Sequence, residues 1–286
     1  MTNYLSGKSI IITGAGSGFG RLVSQKASAM GANVVCVDIN EAGLSETVEV
    51  IPEAQHLVVK ADVTSAADMK RVAAQAIEKF GQIDVIMNNA GIMPLAFFSD
   101  HAQALDKWHQ CLDVNIKGVV NGIACVYDHM MERGEGHVIN MSSIFGNYPV
   151  EGSNIYGATK VAVDYLSESL RVETHGKIKV TIVKPTGVLS TGLVGGIINP
   201  EAAVGIIGHN VEKHSQRMEA LMAGEIDKDY INPEKSQYIN LDASYVADQI
   251  INAMNLPQGV SLGSVTIRAT GAVSYTHLTL PTTPYV

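Results

Sequence analysis

The feature that most restricts the fold of this chain is a glycine-rich turn between a strand pattern and a helical pattern. Residues 9–13 are apolar and mostly β-branched, which predicts a buried strand of a parallel sheet. Glycines recur through residues 14–20, apolar residues then recur at helical spacing, and a second strand pattern at 33–38 ends in Asp38. A strand, a glycine turn, a helix and a strand within about thirty residues are typical of a dinucleotide-binding unit.

The acid at the end of the second strand predicts which dinucleotide binds. Glycines let backbone amides approach a pyrophosphate, and the helix N-terminus adds partial positive charge. Asp38 lies eighteen residues after Gly20, where a carboxylate accepts hydrogen bonds from ribose hydroxyls and repels a 2′-phosphate. Ile39 follows, and no basic residue interrupts the glycine turn. The sequence therefore favours NAD(H) over NADP(H).

The alternation of strand and helix patterns continues along most of the chain. Near-continuous apolar strands are typical of a parallel sheet that is covered on both faces. The sequence therefore predicts an α/β fold with a doubly wound parallel sheet, helices on both faces and right-handed connections. The further strand patterns lie at 57–60, 83–87, 137–141, 179–183 and 264–268, and the further helical patterns at 67–80, 104–132, 153–175, 211–222 and 243–254.

Candidate site residues stand where the predicted strands end. Ligands of open α/β sheets bind outside the carboxyl ends of the strands, so these residues are expected to meet in one crevice. They are the turn 14–20, Asp38, Asp62, the run 88–91, Ser143 and Pro185.

A tyrosine and a lysine at helical spacing, Tyr156 and Lys160, are the strongest candidates for chemistry. One turn apart on a helix they share a face, and an ammonium near a phenol favours the phenolate. At an effective dielectric near 20 and a distance of about 4 Å, the attraction is about 4 kcal/mol, which predicts a phenol pKa close to neutrality. Such a group exchanges a proton with an alcohol or carbonyl oxygen. Ser143, thirteen positions upstream and just after a strand pattern, brings a hydroxyl to the same place.

Composition excludes several classes of protein. The formal net charge is −8, whereas a nucleic-acid partner requires clustered positive charge. The three cysteines (Cys36, Cys111 and Cys125) are far apart and predict buried free thiols in a reducing compartment. The sequence contains neither an apolar span of membrane-crossing length nor an N-terminal leader pattern, so it predicts a cytoplasmic protein without a membrane partner. His209 and His214 have the wrong spacing to share a helical face, and no metal site is expected.

The regular alternation breaks at 186–242, directly after the sixth predicted strand. A long insertion at a strand end predicts a lid over the site, and a surface subdomain that packs against a partner is an equally good interpretation. The final residues, 274–286, are rich in Thr and Pro and show no periodicity, which predicts a non-native or disordered tail. Residues 1–273 are then expected to form a single domain.

Six motifs in one order make the chain resemble the short-chain dehydrogenase/reductases of standard length. The resemblance covers residues 5–190 closely and extends loosely to about 270, and it implies a Rossmann-like, three-layer α/β/α fold. The residues that carry it are Thr13, Gly14, Gly18, Phe19, Gly20, Asp62, Val63, Asn88, Asn89, Ala90, Gly91, Asn115, Ser143, Tyr156 and Lys160.

The resemblance implies a role for each matching residue. Tyr156 would be the acid/base, Ser143 would hydrogen-bond the substrate oxygen, and Lys160 would bind the nicotinamide ribose and lower the pKa of Tyr156. Asn115 would hold a water that links Lys160 to bulk solvent. The implied cofactor-binding residues are Gly14, Ser17, Gly18, Phe19, Gly20, Asp38, Asp62, Val63, Asn89, Ala90, Gly91, Tyr156, Lys160, Pro185, Thr186, Gly187, Val188 and Thr191.

Two positions depart from the family pattern. Phe19 stands where a small aliphatic residue is usual, which is expected to be tolerated by packing. The sequence 185–188 has its glycine displaced by one residue from the usual Pro-Gly, so either Ser190 or Thr191 would meet the nicotinamide carboxamide. One inserted residue realigns Thr191, which is therefore favoured.

The resemblance implies hydride transfer between NAD(H) and a secondary alcohol or ketone. The residues expected around the substrate are mostly apolar (Ile92, Met93, Pro94, Phe145, Tyr148, Pro149 and 188–222), which favours a hydroxysteroid-like or smaller apolar alcohol. The helices 104–132 and 153–175 resemble the pair that forms family oligomers, which implies a homodimer or homotetramer. The alternatives are a non-catalytic NAD-binding redox sensor or scaffold, an epimerase or dehydratase on a related fold, and a methyltransferase with the same glycine turn.

Overall fold

The structure, a computed structural model, describes residues 2–188, 191–206 and 211–272. Strands within these residues form one parallel sheet of seven in the order β3-β2-β1-β4-β5-β6-β7, which confirms the predicted doubly wound topology. Sheet order reverses between β1 and β4, which is where such folds bind ligands. The strands are β1 (Ser9–Thr13), β2 (Asn33–Asp38), β3 (His56–Lys60), β4 (Val85–Asn88), β5 (Gly136–Met141), β6 (Ile178–Pro185) and β7 (Ser264–Ile267).

Helices cover both faces of the sheet. One core contains buried residues of α1, α2 and α8, and the other contains buried residues of α3, α5 and α6. The sheet is thus the middle layer of an α/β/α sandwich, as predicted. The helices are α1 (Gly18–Ala29), α2 (Glu41–Val48), α3 (Ala66–Phe80), α4 (His101–Leu112), α5 (Gly118–Arg133), α6 (Asn154–Glu173), α7 (Val211–Met222) and α8 (Ala243–Met254).

The apolar character of β1 follows from burial on both sides of the sheet. Ile10 and Ile12 lie in the core that faces α1 and α8, whereas Ile11 lies in the core that faces α3 and α5. Successive side chains of a strand point to opposite faces, so a strand covered on both faces needs apolar residues throughout. Every residue of β1 is buried.

The long helical pattern predicted at 104–132 is confirmed, but a π-helical turn interrupts the α-helix. The structure has α4, one π-helical turn at Asp113–Lys117, and then α5. At the start of α5, a Cβ added to Gly118 would lie 2.8 Å from a methyl group of Val63, so this helix packs closely against the end of the β3 segment. A π-turn inserts an extra residue into a helix and is frequent at functional sites, and this one contains Asn115.

The described residues of the insertion (186–188, 191–206 and 211–242) form short helical pieces between β6 and α8. It contains α7 and 3-10 turns at Gly192–Gly196, Pro200–Ile206 and Lys228–Tyr230. Backbone amides of Ile198 and Asn199 donate to the carbonyl of Leu95, which ties the insertion to the segment after β4. The predicted tail at 274–286 lies outside the described residues.

None of the helices in the described part of the chain is long and apolar enough to cross a membrane. Among the same residues, no group of three or more His, Cys, Asp or Glu side chains is arranged to hold a metal ion.

A buried carboxylate holds together the amino edge of the sheet, opposite the predicted site. Asp84 accepts hydrogen bonds from the backbone amide of Ser9 at 2.8 Å, from Lys8 at 3.0 Å and from Arg133 at 3.0 Å. Burial alone would raise the pKa of Asp84, but these three donors outweigh it and hold the pKa below its ordinary value. Asp84 thus joins β1, the start of β4 and the end of α5.

We expect Asp84→Asn to lower the free energy of unfolding by about 2 kcal/mol at neutral pH, because charged donors lose an ionised partner. A carboxyl whose pKa is depressed by folding stabilises the fold above its unfolded pKa and loses that contribution as pH falls through the folded value. The difference between variant and wild type should therefore shrink below about pH 4. Urea denaturation at several pH values measures it.

Glu41→Gln is the matched control, because its ion pair with Lys60 is exposed on both sides. This variant should change the free energy of unfolding by less than about 0.5 kcal/mol. An equally small effect of Asp84→Asn at neutral pH would contradict the role of this carboxylate.

Candidate active site

A cavity of about 740 Å³ opens at the carboxyl edge of the sheet. Its volume lies within the range of small-molecule sites, about 300–1,000 Å³. Of the residues predicted to form the site, Gly20 and Asn115 do not line it. The predicted residues that do line it are Gly14, Ser17, Gly18, Phe19, Asp38, Asp62, Val63, Asn89, Ala90, Gly91, Ser143, Tyr156, Lys160, Pro185, Thr186, Gly187, Val188 and Thr191.

The glycine turn brings β1, α1 and the end of β4 into close contact. Gly14 has φ +66°, and a Cβ there would lie 2.9 Å from the Cα of Ala90. A Cβ on Gly20 would lie 2.2 Å from the carbonyl oxygen of Gly14, so Gly20 is a packing residue behind the turn. The side chain of Asn89 donates to the carbonyls of Thr13 at 2.9 Å and Gly14 at 3.1 Å. Asn89 therefore fixes the glycine turn to the end of β4.

The N-terminus of α1 is available to an anion. Its N-cap residue, Ser17, makes no capping hydrogen bond through its side chain, and the first turn contains no acidic residue. Gly18 has φ +50°, and Phe19 is buried in the core shared with α8. Uncapped amides at a helix N-terminus that faces a cavity suit a phosphate. The chain thus fits the pyrophosphate of a dinucleotide at this position.

Asp38 forms the end of the cavity beyond β2. One carboxylate oxygen accepts from the amide of Gly16 at 2.9 Å, and the other accepts from the amide of Asn40 at 2.9 Å. An ionised carboxylate has about four acceptor sites, so each oxygen keeps one for a further donor. Asp62 and Val63, which follow the end of β3, also line the cavity.

Arg21 is a supporting residue that the sequence analysis missed. Its guanidinium donates to the carbonyl of Gly16 at 2.6 Å and to Glu46 at 2.7 Å. It also donates to the hydroxyl of Thr47 at 3.1 Å. The arginine therefore holds the glycine turn against α2 from outside the cavity. Its position directly after Gly20, the last glycine of the turn, is the sequence feature that could have indicated this role.

Tyr156, Ser143 and Lys160 meet at the other end of the cavity. The ammonium of Lys160 lies 5.5 Å from the centre of the Tyr156 ring and donates to the carbonyl of Met141 at 2.9 Å. The ring of Tyr156 packs edge-to-face on Phe145, with 5.5 Å between centroids. Ser143 caps the short turn after β5 by accepting from the amide of Phe145 at 3.3 Å. The predicted trio is therefore assembled from β5, the turn after it and α6.

The predicted lowering of the tyrosine pKa is wrong for the protein chain alone. Burial raises the pKa of Tyr156 above its ordinary value, and hydrogen bonding with Ser143 offsets this only in part. Burial also lowers the pKa of Lys160 to about 8, against nearby Cys111 and Asp164, which raise it. Desolvation penalises the charged form of both groups. The prediction from the sequence considered only the attraction between the two charges and so omitted this penalty.

Asn115 lies behind the cavity wall and fixes its shape. Its side-chain oxygen accepts from the amide of Ile92 at 2.9 Å, and its side-chain nitrogen donates to the Ile92 carbonyl at 2.9 Å and to Thr159 at 3.1 Å. A Cβ on Gly91 would lie 3.3 Å from Asn115 and 3.8 Å from the Lys160 ammonium. The π-turn thus joins the loop after β4 to α6 beside Lys160.

Three buried polar atoms on cavity-lining residues have no hydrogen-bond partner among the described residues. They are the hydroxyl oxygen of Thr186, Nη1 of Arg217 and the side-chain oxygen of Asn240. Arg217 lies within 188–222, the segment expected around the substrate, but neither it nor Asn240 was singled out, since no motif marks either residue. Thr191 faces the glycine turn, 3.8 Å from where a Cβ on Gly18 would lie. Ser190, the alternative to Thr191, lies outside the described residues.

Comparison with known proteins identifies related chains. The family model described as short chain dehydrogenase matches residues 8–201. An uncharacterized oxidoreductase of Staphylococcus saprophyticus is 36% identical over 198 residues, which cover 68% of this chain and 79% of that protein. A solved structure of serine dehydrogenase with NADP+ has a TM-score of 0.75 at 26% identity and covers 94% of this chain and 98% of its own. A 3-ketoacyl-(acyl-carrier-protein) reductase from Brucella melitensis with NADH has a TM-score of 0.73 at 25% identity, with coverages of 94% and 99%.

We expect Gly20→Ala to lower the free energy of unfolding by about 1–3 kcal/mol, because the added methyl group meets the Gly14 carbonyl and forces α1 away from β1. Urea denaturation measures the change. Gly192→Ala is the control, since a Cβ there meets nothing within 4 Å, and it should alter stability by less than about 1 kcal/mol. Equal stability of the two variants would show that α1 does not pack as described.

Proposed function

The chain belongs to the short-chain dehydrogenase/reductase family of oxidoreductases, and we propose that it transfers a hydride between NAD(H) and a secondary alcohol or ketone, with Tyr156 as general acid/base. The observation that carries this proposal is the meeting of Tyr156, Ser143 and Lys160 in the cavity that also contains the glycine turn. A nicotinamide, when bound, supplies the hydride donor or acceptor.

Each residue of the trio has a distinct role in this proposal. Tyr156 gives a proton to the ketone oxygen in reduction and takes it from the alcohol in oxidation. Ser143 hydrogen-bonds the same oxygen and keeps it next to the phenol. Lys160 places a positive charge 5.5 Å from the phenol ring, which stabilises the phenolate that remains after proton donation.

The burial of Tyr156 and Lys160 supports the protonation states that these roles require. A raised pKa keeps the phenol of Tyr156 protonated at neutral pH, which is the form that reduction needs. The ammonium of Lys160, with a pKa of about 8, is mostly charged at neutral pH and becomes neutral in mildly alkaline solution. Asn115 is proposed to hold a water through which Lys160 exchanges protons with solvent. The packing of Asn115 against Gly91 and near Lys160 supports that placement.

The cofactor is proposed to be NAD(H), with its adenosine at Asp38 and its nicotinamide at Tyr156. Known relatives of similar structure were solved with NADP+ and with NADH, so family membership does not select between them. The carboxylate of Asp38 supports NAD(H), because each oxygen has an acceptor site left for a ribose hydroxyl and its charge repels a 2′-phosphate. The hydroxyl of Thr186 and the side chain of Thr191 are proposed to hold the carboxamide end.

The walls near Tyr156 favour an apolar substrate skeleton, as a hydroxysteroid-like or smaller alcohol has. Phe145, Leu95 and Ile197 line this end of the cavity. Residues 186–242 are proposed to be a lid within a single domain of residues 1–273, because the amides of Ile198 and Asn199 tie this segment to the loop that borders the site. A non-catalytic NAD-binding sensor is the alternative, and the intact trio argues against it.

The protein is also proposed to form a homo-oligomer and to act in the cytoplasm. Apolar side chains are exposed on the helices expected to form an oligomer, and they support a homodimer or homotetramer rather than a nucleic-acid or membrane partner. The free cysteines support a reducing compartment, and the cytoplasm is proposed. The exposed residues are Leu105, Leu112, Val120, Val161, Tyr165 and Val172.

We expect Tyr156→Phe to reduce kcat by about 10²–10⁴-fold, because the proton donor is lost while the ring remains. NAD+ binding, measured by calorimetry, should change little. Tyr165→Phe is the matched control on the same helix, since Tyr165 is 76% exposed and faces away from the cavity. Unchanged turnover in Tyr156→Phe would remove this residue from the mechanism. Absence of turnover in the wild type over a broad alcohol panel would favour the sensor.

We expect Asp38→Asn to reduce the preference for NAD+ over NADP+ by on the order of 10–100-fold, because a repulsive charge next to the 2′-phosphate disappears. The ratio of kcat/KM values for the two cofactors measures it. Glu41→Gln, at the first residue of α2 and paired with Lys60, should leave the ratio unchanged. A wild-type enzyme that prefers NADP+ would contradict the proposed role of Asp38.

A further inference from the structure

Arg217 brings a positive charge from the insertion to the cavity. It lies on α7, and among the described residues that line the cavity it is one of two cations, the other being Lys160. Lys160 is already bonded to the carbonyl of Met141. The two acids that line the cavity, Asp38 and Asp62, lie at and beyond the ends of β2 and β3. Because Lys160 is already assigned to Tyr156 and the cofactor, Arg217 is the cavity-lining cation that the proposed hydride transfer does not use.

The guanidinium of Arg217 is oriented by Tyr230 and makes no ion pair with another residue that the structure describes. Its Cζ lies 4.5 Å from the centre of the Tyr230 ring, and Nη2 donates to the Tyr230 hydroxyl at a long 3.4 Å. Nη1 is buried and donates to no residue that the structure describes. Stacking on an aromatic ring orients a guanidinium and leaves its edge for in-plane hydrogen bonds. A buried charged donor without an acceptor is costly, so this arrangement is suited to an incoming anion.

We propose that Arg217 binds the carboxylate of the substrate, so that the preferred substrates are hydroxy acids and the corresponding oxo acids with an apolar skeleton. This inference rests on the proposed hydride transfer at Tyr156. The fork of a guanidinium matches a carboxylate through two parallel hydrogen bonds. The apolar walls formed by Phe145 and Ile197 would take the skeleton between the carboxylate and the reacting carbon.

The pyrophosphate of the cofactor is the other anion that enters this cavity. The uncapped N-terminus of α1 and the glycine turn already supply amide donors for it. Arg217 instead lies on α7 of the insertion, where its guanidinium stacks on the ring of Tyr230. We therefore assign the free donor of Arg217 to the substrate carboxylate. If Arg217 bound the pyrophosphate instead, its replacement would weaken the affinity for NAD+.

The test compares Arg217→Met and Arg217→Lys with wild type on short aliphatic hydroxy acids and on their uncharged methyl esters. We expect wild type to favour the acid, and Arg217→Met to raise KM for the acid by about 10–100-fold. For the ester, KM and kcat should stay within about threefold. Arg217→Lys should lie between, since it keeps the charge and loses the fork. Calorimetric binding of the acid to the enzyme–NADH complex should weaken by the same factor.

The controls separate the possible failures. Arg268→Met removes an exposed arginine directly after β7 and should behave as wild type. Equal changes in KM for acid and ester, or a weaker affinity for NAD+ in Arg217→Met, would overturn the inference while leaving hydride transfer intact. Wild-type turnover of neutral alcohols without any preference for acids would do the same. Absence of NAD(P)+ reduction by the wild type with every alcohol and hydroxy acid would overturn both proposals.

Discussion

The site depends on one buried charge, the ammonium group of Lys160. Its hydrogen bond to the carbonyl of Met141 fixes it at the end of β5, and its position one helical turn from Tyr156 places it beneath the phenol ring. Burial makes this charge costly and lowers the pKa of Lys160 to about 8. The fold therefore fixes a positive charge beside a buried phenol, where it can stabilise the phenolate in the proposed general acid/base chemistry.

The sheet determines where that pair can act. Parallel strands end at one edge, so β1, β2, β4, β5 and β6 deliver the glycine turn, Asp38, Asn89, Ser143 and Thr186 to the same cavity. The contact of Gly20 with the Gly14 carbonyl brings α1 against β1, and Asn89 ties the turn to the end of β4. The two ends of the cavity then differ in character. Carboxylates lie at the end beyond β2, and apolar residues with Lys160 lie at the other.

Much of this architecture could be predicted from the sequence because it follows from short local patterns. Strand ends carry glycine, Asp and Asn at fixed spacing, and parallel order makes these ends converge. The π-turn could not be predicted, because its apolar residues continue the helical spacing while its backbone bonds change. The role of Arg21 was missed because it acts on the glycine turn from outside, through the Gly16 carbonyl.

Long-range packing explains the other differences. The pKa of Tyr156 depends on how completely Phe145 and its neighbours exclude water, which no spacing records. Arg217 reaches the cavity through the course of the insertion, about sixty residues from Tyr156 in sequence, so no local motif marks it. Residues whose function depends on tertiary folding alone are therefore the ones that sequence patterns leave out.

The most direct test of the account is a crystal structure of the chain with NAD+ bound. The account predicts the adenosine ribose hydroxyls at the carboxylate of Asp38, the pyrophosphate at the N-terminus of α1, and the nicotinamide ring beside Tyr156 and Lys160. A nucleotide bound outside this cavity, or one with its nicotinamide at the Asp38 end, would contradict it.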